Sequence, residues 1–263
     1  MAIHLWSSPT VLDPDVDELV VNPLQLAVAP LSILLGYGIP SVIMSFPAPT
    51  KIGFDTKQGW AAAMQAWAIW IAIAQVTLST IAIVINPMVN VVTEDERKAK
   101  TVTYLRYAYV FALIASAASH LTSWGLSILC YAFPVLITDK YENMLLPKVV
   151  FWPVWPFGSL QADTLADGAL WFLQWDLITG VAAALLWAFT LRVGVEGRQV
   201  SLWQWVTGLT LSAIIGVFVG PVGAAVASLW ARDEIVFGRW AKEKEESLAK
   251  KSTKIGPHTS MKK

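Results

Sequence analysis

Apolar residues run along this chain in long uninterrupted blocks, not at the 3.6- or 2-residue periods of half-buried helices and strands. Five blocks approach or exceed the ~20 residues that cross a bilayer. Leu24 to Phe46 carries no charge and contains Pro30, Gly36, Gly38 and Pro40, which a membrane helix tolerates where neighbours re-satisfy the backbone. Trp60 to Ile85 is also uncharged and closes at Asn86-Pro87. Tyr107 to Ile137 runs for 31 residues without Asp, Glu, Lys or Arg, long enough for one tilted helix and short for two. The fourth block, about Gly168 to Leu191, holds Asp176, and the fifth, Leu202 to Ala231, has a kink signal at Gly220-Pro221-Val222-Gly223. The pattern predicts an all-α polytopic transmembrane bundle of about five spans within residues 1–236, followed by a polar juxtamembrane tail, 237–263. The segment KVVFWPVWPFG, residues 148–158, is too rich in proline and aromatics for an ordinary span, and it reads as a lid or interfacial segment at one mouth of the bundle. A sixth span within 138–167 would change the parity of the bundle.

Composition agrees with lipid as the solvent. Of the 263 residues 56% are hydrophobic and 14% charged, against ~25% charged in soluble domains. Fourteen tryptophans fit membrane interfaces, where an apolar ring with one N–H sits at headgroup depth. Nineteen basic residues offset nineteen acidic ones, so no global field attracts nucleic acid, and no nucleic-acid partner is expected. The single cysteine, Cys130, excludes a disulfide framework, and His4, His120 and His258 are too scattered for a histidine metal site. The N-terminus lacks a basic n-region, which makes the first span the targeting element. Basic residues are absent before Lys51 and frequent after the last block, which favours a cytosolic C-terminus; Arg97, Lys98 and Lys100 fall on the opposite side of a five-span bundle and disagree. An endoplasmic reticulum or other endomembrane location is expected.

Ionisable groups at membrane depth cost ~2.5 to 3.5 kcal/mol and so turn inward. Asp176 lies eight residues into the fourth block, roughly 12 Å along a helix. Either it hydrogen-bonds neighbouring Trp and Gln near the headgroups, or it is functional. In the third block Tyr109, Ser116, His120, Trp124, Ser127 and Tyr131 recur at spacings that keep them on one helical face, which should look into the bundle. Interhelical hydrogen bonding is the simpler reading for the serines, whereas His120 is as readily a site residue. Gln65 needs partners for its amide and should point inward, with Trp67 on the same span. Asp233 and Glu234 close the fifth block; solvated pairing with Arg232 or Arg239 is the simplest reading. In five-span connectivity they lie on the same side as Asp176, so the three carboxyls would converge on one mouth.

The strings GYGIPSVIMSFPAP (36–49), FDTKQ (54–58), FLQWD (172–176) and GPVGAAVASLWARDE (220–234) resemble, in order, the fungal integral-membrane terpene cyclases of meroterpenoid pathways, of the ascochlorin and ascofuranone type. The resemblance implies a cofactor-independent, acid-initiated cyclisation of a hydrophobic prenylated substrate, in which a carboxylic acid protonates the terminal epoxide or olefin of a farnesyl-like chain on an aromatic or polyketide head. Such chemistry needs a carboxyl kept protonated and a dry pocket whose aromatic faces stabilise a passing cation. By motif, Asp176, Asp233 and Glu234 are the acid and base candidates. His120, Gln65, Trp67, Trp124, Tyr131, Trp171, Gln174 and Trp175 are expected to bind the substrate. No Asp-rich diphosphate motif is present. The alternatives are a small proton-coupled or lipid-handling transporter, and a non-catalytic membrane scaffold.

Overall fold

The structure, a computed structural model, describes residues 12–46, 51, 53–66, 69–85, 93–138, 143–155, 158, 161–196 and 201–255. All regular secondary structure among them is helical. We number the helices α1 (Pro23–Ile33), α2 (Ile39–Ser45), α3 (Phe54–Ala66), α4 (Ile69–Ile85), α5 (Glu94–Ala132), α6 (Leu165–Glu196) and α7 (Leu202–Ile255). Four helical runs are long and apolar enough to cross a membrane, Val16–Met44, Glu94–Ala132, Asp167–Glu196 and Val206–Lys251, and Ile69–Ile85 is apolar but shorter. The chain is therefore an all-α polytopic membrane protein. The second apolar block divides into α3 and α4, and Trp67 lies outside the described residues.

Residues 17–112 form one compact unit and residues 1–16 with 113–263 another. In the first unit Asn22 caps α1, its side chain accepting from Leu24 N at 3.0 Å, with Pro23 at the first helical position where no N–H is required. A π-helical turn, Leu34–Gly38, joins α1 to α2. Gly36 lets α4 come close: a Cβ there would stand 2.8 Å from Ile71 N. Beside this contact Ser32 donates to Gln75 Oε1 at 2.7 Å, and Gln75 Nε2 donates to Gln25 O at 2.7 Å, so the amide is satisfied on both sides. Lys57 is buried and donates to the carbonyls of Ile43, Met44 and Phe46 at the end of α2, while Gln58 donates to Met44 O. A cation there satisfies the orphan carbonyls and the negative end of the helix dipole.

Reciprocal capping boxes start two of the long helices. Thr93 and Glu96 exchange backbone and side-chain bonds at 3.1 and 3.3 Å before α5, and Thr164 and Asp167 do so at 3.1 and 3.2 Å before α6.

In the second unit α7 is two passes, not one. Its 54 residues are interrupted at Gly220, with φ 80° and ψ 162°, a conformation that only glycine adopts cheaply. A straight helix would carry Arg239 roughly 55 Å from Leu202 at 1.5 Å per residue. Instead Arg239 Nη2 donates to Val195 O at the end of α6, and Arg239 pairs with Asp13 at 2.7 Å. A Cβ on Gly216 would lie 3.9 Å from that of Ala224, so the two halves run side by side beyond the turn. We call them α7a (202–219) and α7b (221–255). Phe189 against Gly208 sets α7a antiparallel to α6, and α7b therefore runs parallel to α6. The break the sequence signals at Gly220-Pro221 is present, and it is a full turn where a kink within a single fifth span was expected. Helix continues through 237–255, and Arg239 on α7b lies beside Asp13 and the C-terminal end of α6.

The turn is held from α5. Pro221 has no N–H for the carbonyl four residues back, Val217 O, and His120 Nε2 lies 3.2 Å from that oxygen, donating in its place. Ser116 donates to Val219 O at 2.7 Å. His120 also fills the space over Gly220, where a Cβ would meet its ring at 3.1 Å.

Candidate functional site

The polar stripe of α5 faces the interior of its unit through its middle four members. Ser116 and His120 hold the α7 turn, Trp124 stacks on Phe151 with centroids 4.1 Å apart, and Ser127 donates to Leu145 O at 2.6 Å. His120 and Trp124 pack ring to ring at 6.1 Å. Tyr131, at the end of the stripe, is exposed.

Residues 143–155 are stitched to α6 by the FLQWD string. Gln174 is buried and its Nε2 donates to Val149 O at 2.7 Å and Val150 O at 2.8 Å, while its Oε1 is buried without a partner among the described residues. Trp175 Nε1 donates to Val154 O at 2.8 Å, and its ring meets Trp155 edge-on at 5.9 Å. The aromatic-proline segment is thus clasped by Trp124, Ser127, Gln174 and Trp175, with His120, Trp124 and Phe151 forming one run of contacting rings and Trp155 with Trp175 a second pair. Trp171 is half-buried on α6 one turn before Trp175.

Asp176 follows Trp175 directly but points about 100° further round the helix. It is exposed within its unit, and its carboxyl makes no hydrogen bond or ion pair among the described residues. It stands eleven residues after Leu165, roughly 16 Å along α6.

The α7b carboxyls are placed differently. Asp233 is buried and pairs with Arg232 Nη1 at 3.2 Å. Glu234 accepts from Trp230 Nε1 at 2.9 Å, an i,i+4 bond on its own helix. Asp233 and Glu234 are adjacent, but the structure does not bring Asp176 to them. Since Arg239 meets Val195, Asp233 lies near the level of Phe189, thirteen residues and roughly 20 Å along α6 from Asp176. The expected convergence rested on single-span connectivity, which the turn at Gly220 removes. Gln65 lies on α3 in the other unit, and its side chain and all of Trp67 are outside the described residues.

A cleft of about 280 Å³ opens elsewhere, where Asp13, Asp15, Val16, Val236, Arg239, Trp240 and Glu243 meet. None of the expected site residues lines it.

Two features escape sequence reasoning. Lys57, in the FDTKQ string, reads as a loop cation because its carbonyl partners lie 11 to 14 residues away on another helix. Arg232 reads as a solvated partner of Asp233, yet its side chain is only 12% exposed and its Nε is buried without a partner among the described residues.

Four helical runs long and apolar enough to cross a bilayer define an integral-membrane protein. The chain belongs to the CtvD domain family, which it matches over residues 1–237. It is similar to terpene cyclase ctvD of Aspergillus terreus, 31% identical over 237 residues, covering 89% of this chain and 61% of that protein. Terpene cyclase ascI of Acremonium egyptiacum is 25% identical over 238 residues, covering 89% and 58%. Terpene cyclase penA of Penicillium crustosum is 28% identical over 204 residues, covering 76% and 52%. The chain spans 61% or less of the length of these relatives. No solved structure matches it.

Proposed function

We propose that this chain is a membrane-bound terpene cyclase that protonates the epoxide or olefin of a farnesyl-type chain on an aromatic or polyketide head, within an endomembrane. Membership of a family whose curated relatives are named terpene cyclases supports the class of reaction. The assignment of the acid rests on one observation: among the three candidate carboxyls, Asp176 alone lacks a hydrogen bond or ion pair among the described residues. A proton donor must be free to meet its substrate, and Asp233 is committed to a buried guanidinium.

The chemistry needs no resident cofactor. The carboxyl of Asp176 gives its proton to the terminal epoxide oxygen or olefin carbon; internal double bonds attack the resulting cation in turn; a base takes the last proton. Aromatic faces near the path stabilise the cation by ~0.5 to 2 kcal/mol each. In this reading Trp175, Trp155, Trp124 and Phe151 supply those faces, and His120 keeps the α7 turn in place beside them. Asp233 and Glu234 are the base candidates, and Glu234 accepts from the neutral indole of Trp230.

Microsomes containing the chain, supplied with a farnesylated aromatic compound and separately with its terminal epoxide, provide the test. A cyclised isomer of either substrate, absent from empty microsomes, is expected. Recovery of both substrates unchanged, with the chain present in the membrane, contradicts the reading and favours transport or scaffolding.

A further inference from the structure

Arg232 is the least satisfied cation described in the structure. Its side chain is 12% exposed, Nη1 is taken by Asp233 at 3.2 Å, and Nε is buried with no acceptor among the described residues. The Nη2 group likewise makes no hydrogen bond among the described residues. What is left open is the Nε/Nη2 edge of the guanidinium, two parallel N–H groups that match a pair of oxygens two bonds apart. A buried polar N–H without an acceptor is costly, and native proteins rarely keep one unless something else fills it.

The surroundings narrow what fills it. By the 3.6-residue period Arg232 shares the face of α7b that carries Ala225, Ser228, Val236 and Arg239, all but the last buried, and Arg239 on that face reaches α6 at Val195. Arg232 therefore lies toward α6 near the level of the buried Ala188. It is seven residues, roughly 10 Å, to the apolar side of Arg239, where the charged run of α7b begins. Asp233 holds only one edge of the fork, and its carboxylate keeps the site near neutral when the ligand is absent.

We propose that Arg232 anchors the polar head of the substrate, holding the two oxygens of a carboxylate on the Nε/Nη2 edge. This rests on the cyclase reading and adds to it a substrate class: the prenylated head must carry a planar pair of oxygens. Arg232 is then a binding residue for the head, remote from the protonation step.

Binding and cyclisation are measured separately so that the two readings can fail separately. The protein in phosphatidylcholine nanodiscs is titrated with a farnesylated aromatic carboxylic acid and with its methyl ester. Wild type is expected to bind the acid about ten- to a hundredfold more tightly than the ester, the range of the one charge-assisted hydrogen bond the ester cannot make. Arg232→Lys keeps the charge facing Asp233 but not the fork, and should lose most of that preference. Arg232→Gln combined with Asp233→Asn removes both buried charges together and should bind acid and ester alike. Equal affinity of wild type for acid and ester, or a preference that survives both variants, overturns the anchor. An Arg232-dependent acid preference without any cyclised product leaves the anchor standing and removes the cyclase reading instead.

Discussion

At the scale of single residues, burial separates side chains that build the site from those that can act in it. His120 is the clearest case: its Nε2–H replaces the N–H that Pro221 lacks, and its ring covers Gly220. His120→Ala should cost about 1 to 3 kcal/mol by leaving Val217 O unbonded, read as a lower melting temperature of the protein in detergent. His120→Asn, with a shorter donor, should recover part of the loss, and full stability of the alanine variant would contradict this role. Lys57 makes a matching prediction. Lys57→Met keeps the apolar stem but strips the cation from the carbonyls of Ile43, Met44 and Phe46, and should destabilise by about 1 to 3 kcal/mol in the same measurement. Neither role was legible in the sequence. A histidine in an apolar run reads equally as ligand, acid or packing, and nothing local in FDTKQ reports carbonyls on another helix. The serines of the α5 stripe were legible, because a hydroxyl in lipid has few options besides a carbonyl on a neighbouring segment.

At the scale of elements, the apolar blocks were readable because bilayer thickness fixes the length of a span, and the helix starts because capping boxes are local. The reversal in α7 was not. Leu202 to Ala231 is one apolar run, and Gly-Pro signals a kink as readily as a full turn; only the bonds from Arg239 to Val195 and Asp13 distinguish them. The turn depends on Gly220 twice, through its positive φ and through the 3.1 Å gap to His120. Gly220→Ala should therefore destabilise by about 1 to 3 kcal/mol and shift the melting temperature as far as His120→Ala does. Because both changes act on one contact, the double variant should lose less than the sum of the two. Strict additivity would show that the turn and the imidazole are independent.

At the scale of the whole molecule, the turn decides topology and the placing of the carboxyls. Asp13 and Arg239 are bonded, so the N-terminal segment and the end of α7b share one side of the membrane. Cysteines introduced at the exposed positions Asp15 and Glu245 should both be labelled by an impermeant maleimide from the same face of sealed vesicles. Labelling from opposite faces would restore a five-span parity and contradict the hairpin. The same fold sets Asp176 apart from Asp233 and Glu234, although the sequence pattern names all three. Their motifs were readable, but their separation depends on the direction of α7b, which the motifs do not encode. The account therefore turns on a single acid. The most direct measurement is the initial rate of cyclisation of a farnesylated aromatic epoxide by Asp176→Asn against wild type in matched microsomes. Asparagine keeps size and polarity without an acidic proton, so the rate should fall about 10²- to 10⁴-fold with protein level unchanged. A rate within twofold of wild type would contradict Asp176 as the proton donor.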